Sequence, residues 1–585
     1  MSSTTIFLLR CSTRAFFLSV LVAAQTALPA SAEQPTIAKE EAKEAALIEE
    51  TKGASKRSAA EQQSEGTSIK DAMKHEAAPA QAVAVEQSPS HQRALGITAR
   101  DMRLRLSAEP GLASPGEGQP TLGLFGIHAD TIVDDVFHVG VSGFGAAKGR
   151  GGFFGAGLNG MLRYPIALPV SFEAGATIGA GGGGGAPAGT GIFLRPRAGL
   201  HVDLGDRLML VDGVGIGVSH ITFPNGDIES THLDFSIETA FREIVSFERF
   251  GSRTATDLLD DRVFGVGRRS FRPTGHAYFL IDSLTRAGED LGTRQIMAGF
   301  EYREWITEGL FGTIEPRALM LGGTAGYMEL TVGGGYSIPV DPAERVAVFA
   351  SGGIGGAGGG GADTGGGVFL RGALGVDVDL PGPAYLGVDG GIQNAPRGEF
   401  TAVSAGLRLG LSQETIRPRR LAIRSFDGLD AVTETTWRLR GGHQTYFDAP
   451  RGDGEGMAIH LMGLKLDYFA NPHLYLTGQG ASAYAGIPGA GAFSTAVIGF
   501  GGVTDSWQSV RLTAEGRLGT SGGGGIDVDW GLLIQPMAGV LLALTDSVGL
   551  ELLGGWMVAP TGDMSSASFE AGLTYSFNTP VLRDR

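Results

Sequence analysis

Cysteine is almost absent from this chain. Its one copy, Cys11, stands near the N-terminus, between Arg10 and an apolar run from Ala15 to about Leu28. That run and Ala30-Ser31-Ala32 after it have the charge, length and small-x-small pattern of a secretory leader, with cleavage expected after Ala32. A chain processed there has no thiol, which excludes disulfides, thiolate metal sites and cysteine nucleophiles. Beyond the leader no apolar run reaches the roughly 18 residues of a membrane-spanning helix. Runs of Lys and Arg are missing too. The formal charge of −16 would become −18 without Arg10 and Arg14, a poor match for nucleic acid. There is no H-E-x-x-H and no G-x-x-x-x-G-K-[ST], and the eleven histidines lack metal-ligand spacing. No cofactor is expected.

Residues 33–92 lack aromatics altogether and are rich in Ala, Glu, Lys, Gln and Ser. Such a segment cannot bury enough apolar surface to fold alone. It reads as a flexible periplasmic tail; a plug for a wide barrel, or a tether to other envelope or export components, is the sharper alternative.

What is abundant is glycine, with 95 in 585 residues, about twice ordinary usage. From Arg93 onward, short alternating apolar and polar runs are bounded by Gly, Pro, Asp and Asn, the chemistry of strands and turns. The same landmarks come round three times. Polyglycine stands at Gly181–Gly185, Gly358–Gly361 and Gly522–Gly525. The strands after it read GIFLRPRAGLHVDL, GVFLRGALGVDVDL and GLLIQPMAGVLLAL. Pro224, Pro396 and Pro560 follow at offsets of 172 and 164 residues. A repeat of this kind points to stacked or fused supersecondary units.

Each unit holds about eight strands, starting in the first near Met102, Leu122, Val136, Phe153, Val170, Gly191, Leu208 and His232. Within them one face is apolar and the other charged. Ile192, Leu194, Ala198, Leu200 and Val202 oppose Arg195, Arg197, His201 and Asp203. Strands of 10–13 residues suit a tilted membrane strand. The closing strand, with Leu573, Tyr575 and Phe577, resembles the C-terminal assembly signal of bacterial outer-membrane β-barrels, although Asn578–Arg585 follow. The resemblance is to that architectural class over about 490 residues. It implies an antiparallel transmembrane barrel in the outer membrane of a Gram-negative bacterium, in contact with outer-membrane lipid.

The expected organisation is a leader over 1–32, a tail over 33–92, β units over 93–242, 264–411 and 425–577, and a C-terminal tail over 578–585. The Arg-rich connections at about 243–263 and 412–424 read as solvent-exposed. One barrel of about 24 strands is the leading architecture; three separate eight-stranded barrels are the alternative.

The first predicts a pore or export channel for a solute or polymer, with Glu173, Arg195, Arg197, His201, Asp203, Arg371, Asp377 and Asp379 as a lumen charge cluster tuning selectivity, or as charges that satisfy one another in a crowded interior. The second predicts a structural or adhesive surface protein. A third reading, an envelope lipid hydrolase, rests on Ser219-His220 at a strand end. The G-x-S-x-G match around Ser521 has no helix after it and reads as chance. No enzyme is expected. Trp305, Trp437, Trp507, Trp530 and Trp556 are candidates for the lipid interface or for packing.

Overall fold

The computed structural model describes residues 97–112, 120–134, 136–208, 211–246, 253–254, 263–427, 431–451 and 456–582. The leader and the 33–92 segment lie outside the described residues. A first group of strands comprises β1 Ile97–Glu109, β2 Gly123–Ile132, β3 Phe137–Lys148, β4 Phe153–Ala167, β5 Val170–Gly183, β6 Ile192–Leu208, β7 Val211–Thr222 and β8 Glu229–Ser246. A two-residue strand, β9 Arg253–Thr254, precedes the second group. That group is β10 Phe264–Leu280, β11 Arg294–Trp305, β12 Leu310–Leu321, β13 Met328–Pro339, β14 Val346–Gly358, β15 Val368–Asp379, β16 Ala384–Ala395 and β17 Phe400–Pro418. The third is β18 Ala431–Pro450, β19 Gly456–Phe469, β20 Leu474–Ala485, β21 Ser494–Val503, β22 Val510–Gly522, β23 Leu532–Ala543, β24 Val548–Val558 and β25 Ser565–Leu582.

Each strand pairs antiparallel with the next, and each group closes on itself. β1 pairs with β8 from Ile97↔Ser246 to Ala108↔Phe235. β10 pairs with β17 from Phe264↔Pro418 to Leu280↔Ala402. β18 pairs with β25 from Val432↔Leu582 to Tyr446↔Ser568. Bridges such as Asn578↔Ser246 and Thr415↔Val581 join the groups into one hydrogen-bonded sheet of 25 strands. Within that sheet, three eight-stranded rings stand side by side. The expectation of one wide barrel is therefore corrected, and the alternative of three small barrels describes the pairing. The physical reason is the long first-to-last ladder in each ring, which uses the edge that a single wide barrel would have passed on to the next unit.

Three boundaries also move. β25 runs to Leu582, through most of the expected C-terminal tail, because Asn578–Leu582 pair with β18. β17 runs to Pro418 and β8 to Ser246, into the stretches read as solvent-exposed connections. Two of their charges, Glu243 and Arg417, are taken up in ion pairs between rings rather than by solvent. Glu243 of the first ring takes Arg269 at 2.9 Å and Arg417 at 2.6 Å from the second, and Arg417 also reaches Glu304 at 3.0 Å.

The rings begin and end on one side, where turns such as 168–169 and 470–473 are short. The polyglycine loops lie on the other side, always between the fifth and sixth strand of a ring. There the rings meet head to tail. The 184–191 loop of the first ring abuts the 486–493 loop of the third, with Gly491 N donating to Gly189 O at 3.1 Å. The 359–367 loop of the second abuts the 149–152 loop of the first, where a side chain on Gly152 would overlap the Gly359 backbone. The 523–531 loop of the third abuts the 322–327 loop of the second, with Gly326 against Gly522 and Gly523. Third-to-fourth loop against fifth-to-sixth loop, three times over, is a heterologous contact that closes.

Glycine is required here because backbones touch. A Cβ on Gly491 would lie 2.5 Å from Gly191 N. Gly491→Val is expected to destabilise the protein by about 1–3 kcal/mol, the usual range for overpacking. Gly516→Val, on a strand position where a Cβ meets nothing within 4 Å, is expected to leave stability unchanged within about 0.5 kcal/mol. Urea midpoints in lipid vesicles would compare them, and equal losses would contradict the seam.

Candidate functional site

In each ring the two faces of the strands have the reverse of soluble polarity. Outward positions carry Phe172, Leu200, Leu374, Leu409, Phe500 and Leu512, all exposed. Inward positions carry arginines and carboxylates that are almost wholly buried. An eight-stranded ring leaves an interior that side chains just fill, so these charges must find partners among themselves.

In the first ring Glu173 on β5 is the hub. Arg163 on β4 reaches it through Nε at 2.8 Å and spans to Glu238 on β8 at 2.6 and 3.0 Å. Arg197 on β6 bonds Glu173 at 2.7 Å and Asp234 at 2.5 Å. Arg195 pairs with Glu109, which also accepts from the Ser219 hydroxyl at 2.9 Å. In the second ring Asp377 takes Arg272 at 3.1 Å and Arg303 at 3.0 Å. Arg371 pairs with Glu315 and lies 3.4 Å from Asp389, whose other oxygen is 2.8 Å from Arg408. In the third, Arg440 on β18 binds Asp467 at 2.6 Å, Glu551 at 2.7 Å and Glu515, and Lys465 pairs with Glu570.

Toward the glycine loops each interior turns apolar. Leu124, Phe144, Phe153, Phe193 and Phe223 fill the first ring at that end; Tyr278, Tyr327, Phe369 and Phe400 the second; Tyr446, Ile459, Phe493 and Leu533 the third.

The expected charge cluster is thereby divided. Glu173, Arg195, Arg197 and His201 share the first ring's interior, and Arg371 and Asp377 that of the second. Asp203, where the β6–β7 register shifts, and Asp379, the last residue of β15, are exposed. The paired-charge reading describes the six interior residues, and no shared constriction unites the eight. The third ring carries Gln535, Met537 and Leu541 rather than charges on its sixth strand. Its ions come from other strands, through Arg438 and Arg440, Lys465 and Asp467, and Glu515 and Arg517. Charges two apart on one strand were the signal that marks an inward face.

Glu173, His201 and Glu238 also bring ligand atoms within 4.8 Å of one another, a geometry compatible with a metal ion. Arg163 lies between the two carboxylates and already supplies the cation.

Ser219 and His220 do not form a dyad. Ser219 points inward to Glu109, while His220, its neighbour on the opposite face of β7, meets Thr231 Oγ1 at 2.9 Å. Ser521 lies on β22, followed by the polyglycine loop and another strand. Trp507, Trp530 and Trp556 are exposed near strand ends, as interface residues are. Trp305 is buried within the second ring under Arg268, and Trp437 is packed against Phe271 of the neighbouring ring at 4.9 Å between centroids.

Paired ions inside and apolar side chains outside are the polarity of outer-membrane β-barrels. This is outer-membrane β-barrel construction. The outer membrane of a Gram-negative bacterium is the location that follows. No known protein family matches the sequence, and no curated protein does. Solved structures resemble it weakly. A ferric enterobactin receptor is 9% identical over 82% of this chain and 81% of its own, with a TM-score of 0.25. The siderophore receptor PirA from Pseudomonas aeruginosa is 8% identical over 82% and 80%, also at 0.25. A de novo designed transmembrane barrel is 11% identical over 24% of this chain and 94% of its own, at 0.17. Scores this low carry no argument about fold or activity.

Removing one member of an interior network strands the others without water. Arg440→Met is expected to cost about 3–5 kcal/mol. Arg424→Met, which removes a half-exposed pair with Glu414 at 2.5 Å, is expected to cost about 1 kcal/mol or less. Equal unfolding midpoints for the two would contradict a dry, ion-paired interior.

Proposed function

We propose that this chain is a non-conducting three-barrel body of the outer membrane, whose function is carried by its outer surface rather than by a lumen. The observation that supports this reading is closure: each ring pairs its first strand with its eighth, and its interior is occupied by ion networks below and an apolar plug above. A pore for a solute or polymer draws its motive from a wide lumen, and rings of eight strands do not supply one.

The strands span the membrane, with outer-membrane lipid as the immediate partner of the exposed apolar faces. The short turns and the connections between rings face the periplasm, as short turns do in bacterial barrels, and the glycine loops face outward. The residues 33–92 precede β1 on the periplasmic side and serve there as a tether to envelope components. The three rings descend from one repeated unit, so the glycine seams do within one chain what subunit interfaces do in a trimer. Adhesion or scaffolding by the outer loops and seams is the activity class this arrangement favours.

Planar-bilayer recording tests the reading. The refolded chain lacking residues 1–32, with and without residues 33–92, is expected to give no large steady conductance steps. Large steps from either form would overturn the proposal and restore a pore.

A further inference from the structure

The three rings are alike in plan, but their outward faces differ. On the first strand of the first ring the outward residues include Leu104 and Leu106, and on that of the second Phe271 and Pro273. On β18 the corresponding face carries His443 and Thr445. On β19 it carries His460 and Met462, and on β20 Ser482 and Tyr484. These side chains do not project into a filled interior; they stand on the surface that elsewhere meets hydrocarbon. Ionisable groups at such positions are expensive and mark function.

Their geometry is specific. The imidazoles of His443 and His460 lie 5.3 Å apart between centroids. His443 Nε2 and His460 Nδ1 converge on a single atom, Thr445 Oγ1, at 2.7 and 3.0 Å. One hydroxyl hydrogen cannot serve both nitrogens, so at most one is satisfied as an acceptor. The other nitrogen of His443, Nδ1, meets the Tyr484 hydroxyl at 2.9 Å. In the tautomer where Nδ1–H donates to that oxygen, Nε2 presents its lone pair, which is how the outer partners of metal-bound histidines act. Met462 is paired directly opposite His443, so its thioether projects from the same face within reach of the pair.

Shelter comes from the seam. Tyr484 follows Ala483, whose carbonyl lies against Gly191 of the first ring. His443, His460 and Tyr484 are each half-buried.

We propose that His443 and His460, with Met462 beside them, form a binding site for a late first-row transition-metal ion at the seam of the third and first rings. The ion displaces Thr445 Oγ1 from the point where the two nitrogens converge. Two imidazoles with a thioether favour copper, which also stands highest for divalent ions in the Irving–Williams order. Calcium and magnesium, which take oxygen ligands, are excluded by the same donor set. The site is distinct from Glu173, His201 and Glu238, where Arg163 already bridges the acids.

Copper(II) itself is the probe. The folded chain in lipid vesicles is titrated with Cu2+ and read by electron paramagnetic resonance. The expected result is one tight ion per chain with a two-nitrogen superhyperfine pattern. His443→Gln and His460→Gln are each expected to weaken binding at least tenfold and to reduce the pattern to one nitrogen. Met462→Leu is expected to weaken Cu+ retention after ascorbate reduction while leaving the Cu2+ spectrum with two nitrogens. His201→Gln is expected to leave both signals intact. Resistance of the folded barrels to detergent unfolding on a gel, equal in all variants, separates loss of ligand from loss of fold. A signal unchanged in the His443→Gln/His460→Gln double variant, or one lost with His201→Gln, would overturn the site, as would weak one-nitrogen binding alone, the mark of an adventitious surface histidine.

Discussion

The arginine–carboxylate pairing inside each ring is the constraint on which the rest depends. Closing eight strands leaves an interior with room for side chains and little else. A charge placed there loses its water, and only partners with good hydrogen-bond geometry repay that loss. Arg163 shows how this is met: one guanidinium on β4 holds Glu173 on the neighbouring β5 and Glu238 across the ring on β8. Arg440 does the same for Asp467, Glu515 and Glu551. With the polar atoms satisfied inside, every other residue of each strand is free to be apolar, and the outer face suits lipid. The same side chains that satisfy one another also fill the space between the strands.

Glycine solves the second problem, which is how three closed rings touch. Barrels have no free edges, so they cannot join by strand addition along their length. They meet instead at loop ends, where side chains would hold the backbones apart. Gly184, Gly360 and Gly524 adopt φ of +61°, +53° and +63°, a region L side chains rarely enter. Their neighbours Gly152, Gly326 and Gly491 lie where a Cβ would strike another ring's backbone. At the opposite end the rings are fastened by ions and aromatics: Glu243 with Arg269 and Arg417, and Trp437 with Phe271. Close backbone approach at one end and buried charge at the other fix the arrangement from both sides.

Much of this could be read in the amino acids. Strand starts follow from alternation and turn residues, and the eight expected in the first ring lie within about five residues of those observed. Barrel closure could not be read, because it depends on whether Ile97 meets Ser246 or a strand of another unit, and both partners look alike in sequence. Charge misled in one direction. Arg417 and Glu243 resembled linker residues because ion pairing between rings and solvation leave the same composition. In the third ring the sixth strand carries Gln535, Met537 and Leu541 at its inward positions while other strands carry Arg438, Arg440, Lys465, Asp467, Glu515 and Arg517, so that strand taken alone conceals a charged interior. The histidine cluster was hidden for a related reason. His443, His460 and Tyr484 are 17 and 24 residues apart in turn, with no metal-ligand spacing, and only the register of β18, β19 and β20 brings them to one face.

Covalent joining of the rings changes what such an assembly can become. In a symmetric trimer of identical barrels every seam must be the same, and any residue placed at one appears at all three. Here the three seams share their glycine contacts but belong to different stretches of one chain. Each can then vary without altering the others. The first strands differ in this way: leucines in the first ring, Phe271 and Pro273 in the second, and His443 and Thr445 in the third, which meet Tyr484 of β20 and His460 of β19. A polar cluster repeated at three seams would have cost three desolvations in the apolar zone; confined to one, it is tolerated by a body whose other two seams remain apolar there. Asymmetry at the seams, on a scaffold whose interiors are filled with paired side chains, is where this fold has room to specialise.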